Sequence, residues 1–154
     1  MNLILDAAVI VKLVLHEDGS KEAREAVTDA LKKGMAMYTV DVALAEALNV
    51  LWRHVDKVKD LKADEAKLIA EDLMKVFDKL NIIKTREVAA PASQMSLSLN
   101  ITAYDSLYLA AAQTANGTLY TADQKLCSVA RTARRDIATK LLKVKTASDA
   151  KSTE

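Results

Sequence analysis

Asn2-Leu3-Ile4-Leu5-Asp6, running directly into Ala7-Ala8-Val9-Ile10-Val11-Lys12, decides how the rest of the chain is read. Three consecutive apolar residues with no polar alternation describe a strand buried on both faces, the kind found in parallel sheets. The strand ends on a carboxylate, and the apolar run beyond it fits a helix. Ligands of open α/β sheets gather outside the carboxyl ends of the strands, so Asp6 stands where chemistry is expected. An aspartate between strand and helix is also a good N-cap, because its carboxylate accepts unpaired N–H groups of the first turn. Taken alone, Asp6 is open to both readings.

The alternation continues outward from this stretch. Val9 to Leu15 reads as a short buried helix closed by the polar loop His16-Glu17-Asp18-Gly19. Ser20 is placed to cap a helix with Ala23, Ala26, Val27, Ala30 and Leu31 on its apolar face, and Gly34 to end it. Further strands are expected at Met35–Val40, Asn81–Lys84 and Thr118–Thr121, with a last edge strand at Leu141–Val144. Helices are expected from Asp41 to about Val55, from Ala63 through Leu80, from Glu87 to Leu99, from Ile101 through Ala112, and through Leu126 and Ala130. Pro91 blurs the start of the third of these, and Asp56 to Lys62 reads as a solvated turn. Strands alternating with helices describe an α/β domain with a mainly parallel sheet. Residues 1–146 are expected to form one domain, and 147–154 a polar tail without structure.

Composition excludes several function classes. With 28% charged residues the formal net charge is only +1, so no global basic field advertises nucleic acid, and an anionic partner must meet a local patch or a metal. Aromatic residues make up 4% of the chain, too few for a platform that stacks single-stranded bases. The single Cys127 excludes an internal disulfide and a multi-cysteine zinc site, and fits a reducing cytoplasm. The two histidines, His16 and His54, lack metal-motif spacing. No cationic segment precedes the first apolar run, which Lys12 and His16 interrupt, so neither a signal peptide nor a membrane span is expected.

Four acids stand in apolar surroundings: Asp6, Glu46, Asp105 and Asp123. Asp6 and Asp123 follow apolar strands, and in a parallel sheet both emerge at one edge. Glu46 is nearly alone among apolar residues from Val42 to Trp52, where only Asn49 accompanies it, and Glu46, Asn49 and Arg53 share one helix face. Converging carboxylates repel one another and would not all ionise at neutral pH without a cation. Hard oxygen donors without His or Cys select Mg2+ or Mn2+, and such a site suits phosphodiester hydrolysis. Against this stand structural roles. Thr102-Ala103-Tyr104-Asp105 and Thr121-Ala122-Asp123-Gln124 both fit capping boxes, and Glu46 fits the one wet face of its helix. Lys12 and Arg53 are the candidate cationic contacts to substrate. Trp52, Tyr104 and Tyr108 read as packing, Cys127 as core and the two histidines as surface. Arg131, Arg134, Arg135 and Lys140 form a basic cluster open to either phosphate or plain solvent.

These residues together resemble the PIN-domain family, in particular the VapC-type toxins of toxin–antitoxin pairs. The resemblance runs from Asn2 to about Val144 in four ordered blocks: the opening Leu3–Lys12, then Asp41–Arg53, Thr102–Ala110 and Leu119–Leu126. It implies a three-layer α/β/α sandwich around a mainly parallel central sheet, and a Mg2+- or Mn2+-dependent ribonuclease acting on RNA. Asp6, Glu46, Asp105 and Asp123 match the family's acidic metal-site positions, and Asn49 and Thr121 fall where supporting residues lie. A homodimer and a small antitoxin covering the acidic groove are implied as well. Two departures stand out. Ala8 replaces the usual Ser or Thr two residues after the first Asp, removing a hydroxyl that can orient a carboxylate or water. Val40 replaces a proline frequent before the Glu46 helix. Ala8 keeps open the alternative of a catalytically weak or inactive module that binds RNA or protein. A receiver-like or phosphatase domain fits less well, because the next acid after Asp6 is Glu17, beyond the following helix.

Overall fold

A computed structural model of the chain describes residues 1–144. The expected tail, and the last two residues of the expected domain, lie outside that range. The opening stretch forms β1, Asn2–Leu5, in which Leu3, Ile4 and Leu5 are all buried although they alternate between faces. A strand apolar on both sides must be covered on both sides, and β1 accordingly lies at the centre of a five-stranded sheet. Its neighbours are β2, Ala36–Val40, and β4, Gly117–Thr121; β3, Asn81–Ile83, and β5, Thr139–Leu141, form the edges. The order is β3-β2-β1-β4-β5 and every pairing is parallel.

Seven α-helices connect and cover the strands among the described residues. They are α1, Ala7–Val14; α2, Ser20–Lys32; α3, Val42–Arg53; α4, Ala63–Phe77; α5, Thr85–Leu99; α6, Ala103–Thr114; and α7, Gln124–Ala133. The chain steps from β1 through β2 to β3 in one direction and returns to β4 and β5 in the other. Right-handed crossovers therefore put α1–α4 on one face and α5–α7 on the other. The packing agrees: α1 lies against α2, α3 and α4, while α5 pairs with α6, which crosses β4, β1 and β2. The result is the expected α/β/α sandwich.

This topology gathers the acids. In parallel strands β1 and β4 end at the same edge, where the Asp6 N–H reaches the Tyr120 carbonyl at 3.3 Å. Helix α6 runs opposite to the strands, since its C-terminal Ala115 carbonyl accepts from the Asn2 amide at the far edge. Its first turn, with Asp105, consequently lies at the carboxyl edge. Helix α3 starts directly after β2, so Glu46 in its second turn lies near that edge too.

Several elements depart from the sequence reading. Ser20 is the first residue of α2 and does not cap it; its hydroxyl donates to the Leu15 carbonyl at 2.7 Å and accepts from the Glu17 N–H, bracing the preceding loop. Leu31, assigned to the apolar face of α2, is 56% exposed. Part of the expected solvated turn after α3 is a π-helical turn, His54–Val58, ending at Lys59 with φ 61°. His54 anchors it, with Nδ1 2.9 Å from Asp60 and Nε2 3.5 Å from Glu17, so this histidine is mostly buried and paired. Helix α5 starts at Thr85, two residues before Glu87, and tolerates Pro91 inside it. Asp41 accepts the Thr85 N–H, and Val88, Ala92 and Met95 are buried on the α6 side. Strand β5 lies two residues earlier than expected, held through the Ala138 carbonyl and the Leu142 N–H.

Candidate functional site

Asp6 caps α1: its Oδ1 accepts the Val9 N–H at 2.8 Å. The residue is only 6% exposed. Burial pushes its carboxyl up to about 6, and the nearby Glu46 charge adds to this, against hydrogen bonds from the Thr121 hydroxyl and the Val9 and Ala122 N–H groups. The helix-cap reading is thus correct for Asp6, and its hydrogen bonds leave burial the dominant influence on the carboxyl.

Asp123 caps α7 in the same way, Oδ1 accepting the Leu126 N–H at 2.9 Å. Thr121, at the end of β4 and fully buried, accepts the Asp123 N–H at 3.0 Å and so fixes the turn that carries this acid. The expected capping box led by Thr121 is therefore shifted, with Asp123 itself as the cap. On α6 the cap is Thr102, whose Oγ1 accepts the Asp105 N–H at 3.1 Å. Asp105 is raised above the ordinary carboxylate value by burial, with the Asp123 charge adding and the Thr102 hydroxyl and Lys125 opposing. Glu46 is likewise raised by burial and by the Asp105 charge, against a hydrogen bond from Tyr108. Asp6 senses Glu46, Glu46 senses Asp105, and Asp105 senses Asp123. The four acids are one electrostatic chain along the carboxyl edge of the sheet. Among the described residues no three His, Cys, Asp or Glu side chains form a ready-made ion cage. The arrangement is open, with the carboxylates coupled in sequence rather than converged on a point.

The other assigned residues divide. Asn49 is exposed one turn beyond Glu46, and the two line a 380 Å³ cavity with Val42, Ala45 and Tyr104. Lys12 is held by Glu17 at 2.8 Å and by the Asp18 carbonyl at 2.8 Å, which directs it to the α1–α2 loop. Arg53 is exposed at the far end of α3, about 10 Å along the axis from Glu46. The basic cluster is dispersed: Arg134 forms a two-pronged pair with Asp136, and Lys140 lies over the Tyr120 ring. Trp52 and Tyr104, read as packing, are each about half exposed.

Sequence reasoning missed Tyr108. Its ring is buried, its hydroxyl donates to Glu46 Oε1 at 2.8 Å, and the same oxygen accepts the Ala7 N–H at 3.2 Å. The signal was present as spacing, since Tyr108 lies three residues after Asp105 on the same helix face and carries a polar atom into an apolar run.

A family profile for the PIN domain matches residues 3–132. The chain belongs to the PIN-domain family. A curated relative, Ribonuclease VapC3 of Pyrobaculum aerophilum, is 34% identical over 126 residues, which is 82% of this chain and 92% of that protein. Solved structures with this PIN fold include FitAcB from Neisseria gonorrhoeae, with a TM-score of 0.66 and 18% identity over 89% of this chain and 95% of that one. Another is VapBC2 from Rickettsia felis bound to a promoter DNA fragment, with a TM-score of 0.61 and 18% identity over 93% and 100% of the two chains. At such identity these structures speak for the PIN fold. No helix of the described PIN domain is long and apolar enough to cross a membrane.

Proposed function

We propose that this PIN domain is a metal-dependent endoribonuclease, the toxin of a toxin–antitoxin pair, that hydrolyses RNA phosphodiester bonds at the site formed by Asp6, Glu46, Asp105 and Asp123. The observation that carries the proposal is the chain of four carboxylates at one sheet edge, three of them raised by burial and by one another's charge. Repulsion of this kind is destabilising by itself and is relieved by a divalent cation. The donor set fits Mg2+ or Mn2+, being all hard oxygen with no His or Cys. Such an ion would acidify an attacking water and offset charge building on the phosphate and the leaving oxygen.

The chain's own residues supply position. Caps at Asp6 and Asp123 commit one oxygen of each carboxylate to the backbone, which fixes both groups at the sheet edge. Thr121 fixes the Asp123 turn and Asn49 offers an amide beside Glu46. The likeness to Ribonuclease VapC3 of P. aerophilum supports the ribonuclease activity, and the likeness to the VapBC2 complex of R. felis supports a small antitoxin as partner. The homodimer and the cytoplasmic location are part of the proposal and follow from the resemblance to the VapC-type toxins alone. Arg53 remains a candidate contact to the RNA backbone. Lys12 serves that role only if it leaves Glu17.

The test is cleavage of single-stranded RNA with Mg2+ or Mn2+, with EDTA, and by Asp6→Asn. Cleavage that requires the metal and is lost in Asp6→Asn supports the proposal; cleavage that persists in EDTA or in Asp6→Asn refutes it. Ala8 and the open spacing of the acids favour a second reading, a PIN-like module that binds RNA or protein without hydrolysis. Absence of Mn2+ binding at millimolar concentration, together with retained RNA or protein binding, selects that reading.

A further inference from the structure

We infer that Tyr108 is a positioning residue of the acidic site, its hydroxyl fixing the Glu46 carboxylate against the first turn of α1. The inference rests on the reading of Glu46 as a metal-site residue and adds what holds it there. Ala7 is the first residue of α1, so its N–H is one of the four helical donors without an intrahelical partner. The Asp6 carboxylate serves Val9, and the Ala7 N–H is left to Tyr108 at 3.2 Å. A phenol oxygen occupied by a backbone donor directs its single proton outward, and here that proton goes to Glu46 Oε1 at 2.8 Å. Residues 7, 46 and 108 are joined by one buried oxygen across three helices. Glu46 Oε2 has no hydrogen bond from the described residues and is the oxygen left for a ligand. A tyrosine that only filled the core would be replaced by phenylalanine at no cost to the site.

Tyr108→Phe alone strands the Ala7 N–H, so the substitution is also made in a Glu46→Gln background, where that loss is the same. Mn2+ affinity is measured from the free-ion electron paramagnetic resonance signal, and RNA cleavage as kcat and KM, in both backgrounds. The expected result is a three- to tenfold loss of Mn2+ affinity and a lower kcat on removing the hydroxyl, with KM for RNA unchanged. In a Glu46→Gln background the same removal should change neither quantity. Wild-type Mn2+ affinity and kcat without the hydroxyl, or effects that simply add to those of Glu46→Gln, overturn the inference. If Glu46→Gln itself binds Mn2+ and cleaves RNA normally, the underlying reading of the metal site fails instead.

Discussion

Oδ1 of Asp6 accepts the Val9 N–H, and the same carboxylate, nearly devoid of solvent, holds its proton up to about pH 6. Between the ordinary aspartate value of 3.8 and about 6, the metal-free folded chain keeps a proton that the unfolded chain has lost. Stability therefore falls as pH rises through that window, by about 3 kcal/mol in all, and does not recover above it. Urea unfolding of the metal-free protein at pH 4.5 and 7.5 checks the sign; this slope belongs to Asp6 if Asp6→Asn flattens it. Asparagine still caps a helix and carries no charge. Asp6→Asn should thus raise the metal-free melting temperature at pH 7.5 by several degrees, at roughly 2–4 °C per kcal/mol for a chain of this size, while abolishing Mn2+ binding. A residue that served only as a cap would show no such gain. Two positions on, Ala8 is exposed in the first turn of α1 and has no hydroxyl to offer the site. Ala8→Ser should restore a hydrogen bond worth about 1 kcal/mol, roughly fivefold in kcat, measurable in the RNA cleavage assay.

Strand β4 meets β1 at Gly117, where a Cβ would lie 2.4 Å from Ile4 Cδ1 and 2.8 Å from the Asn2 carbonyl oxygen. Backbone cannot give way as a flexible side chain can, so Gly117→Ala should destabilise the fold by about 1–3 kcal/mol. The expected readout is a lower urea midpoint with an unchanged slope. Asn116-Gly117 reads in sequence as the stop of a helix, and nothing local announces that the glycine also admits the central strand. The elements most legible in the sequence were those with one strong apolar signal: β1 as an apolar run, α4 as an apolar face and α6 as a helix apolar nearly all round. Those that were not depend on partners far along the chain. The turn after α3 takes its π-helical form with His54 bridging Glu17 and Asp60, and α5 starts early because Asp41 receives the Thr85 N–H.

Across the whole molecule a formal charge of +1 conceals a strongly uneven distribution, with repelling acids collected at one sheet edge. A cation bound there stabilises the folded state alone, so millimolar Mn2+ should raise the melting temperature, EDTA should reverse the rise, and Asp6→Asn should abolish it; differential scanning calorimetry measures all three. The acids themselves were legible because each interrupts an apolar context, and parallel order implied that Asp6 and Asp123 emerge at one edge. Tyr108 was not, because a tyrosine in an apolar helix looks like core until Glu46 arrives from 62 residues away. The sheet order has a further meaning in time. The central strand β1 is made first, but its neighbour β4 is residues 117–121, and Asp123 follows later still. A ribosome-bound chain that has not reached Gly117 holds three of the four acids and lacks the strand that brings the fourth beside them. The acidic edge is therefore completed only late in synthesis, once β4 and the turn behind it have been made.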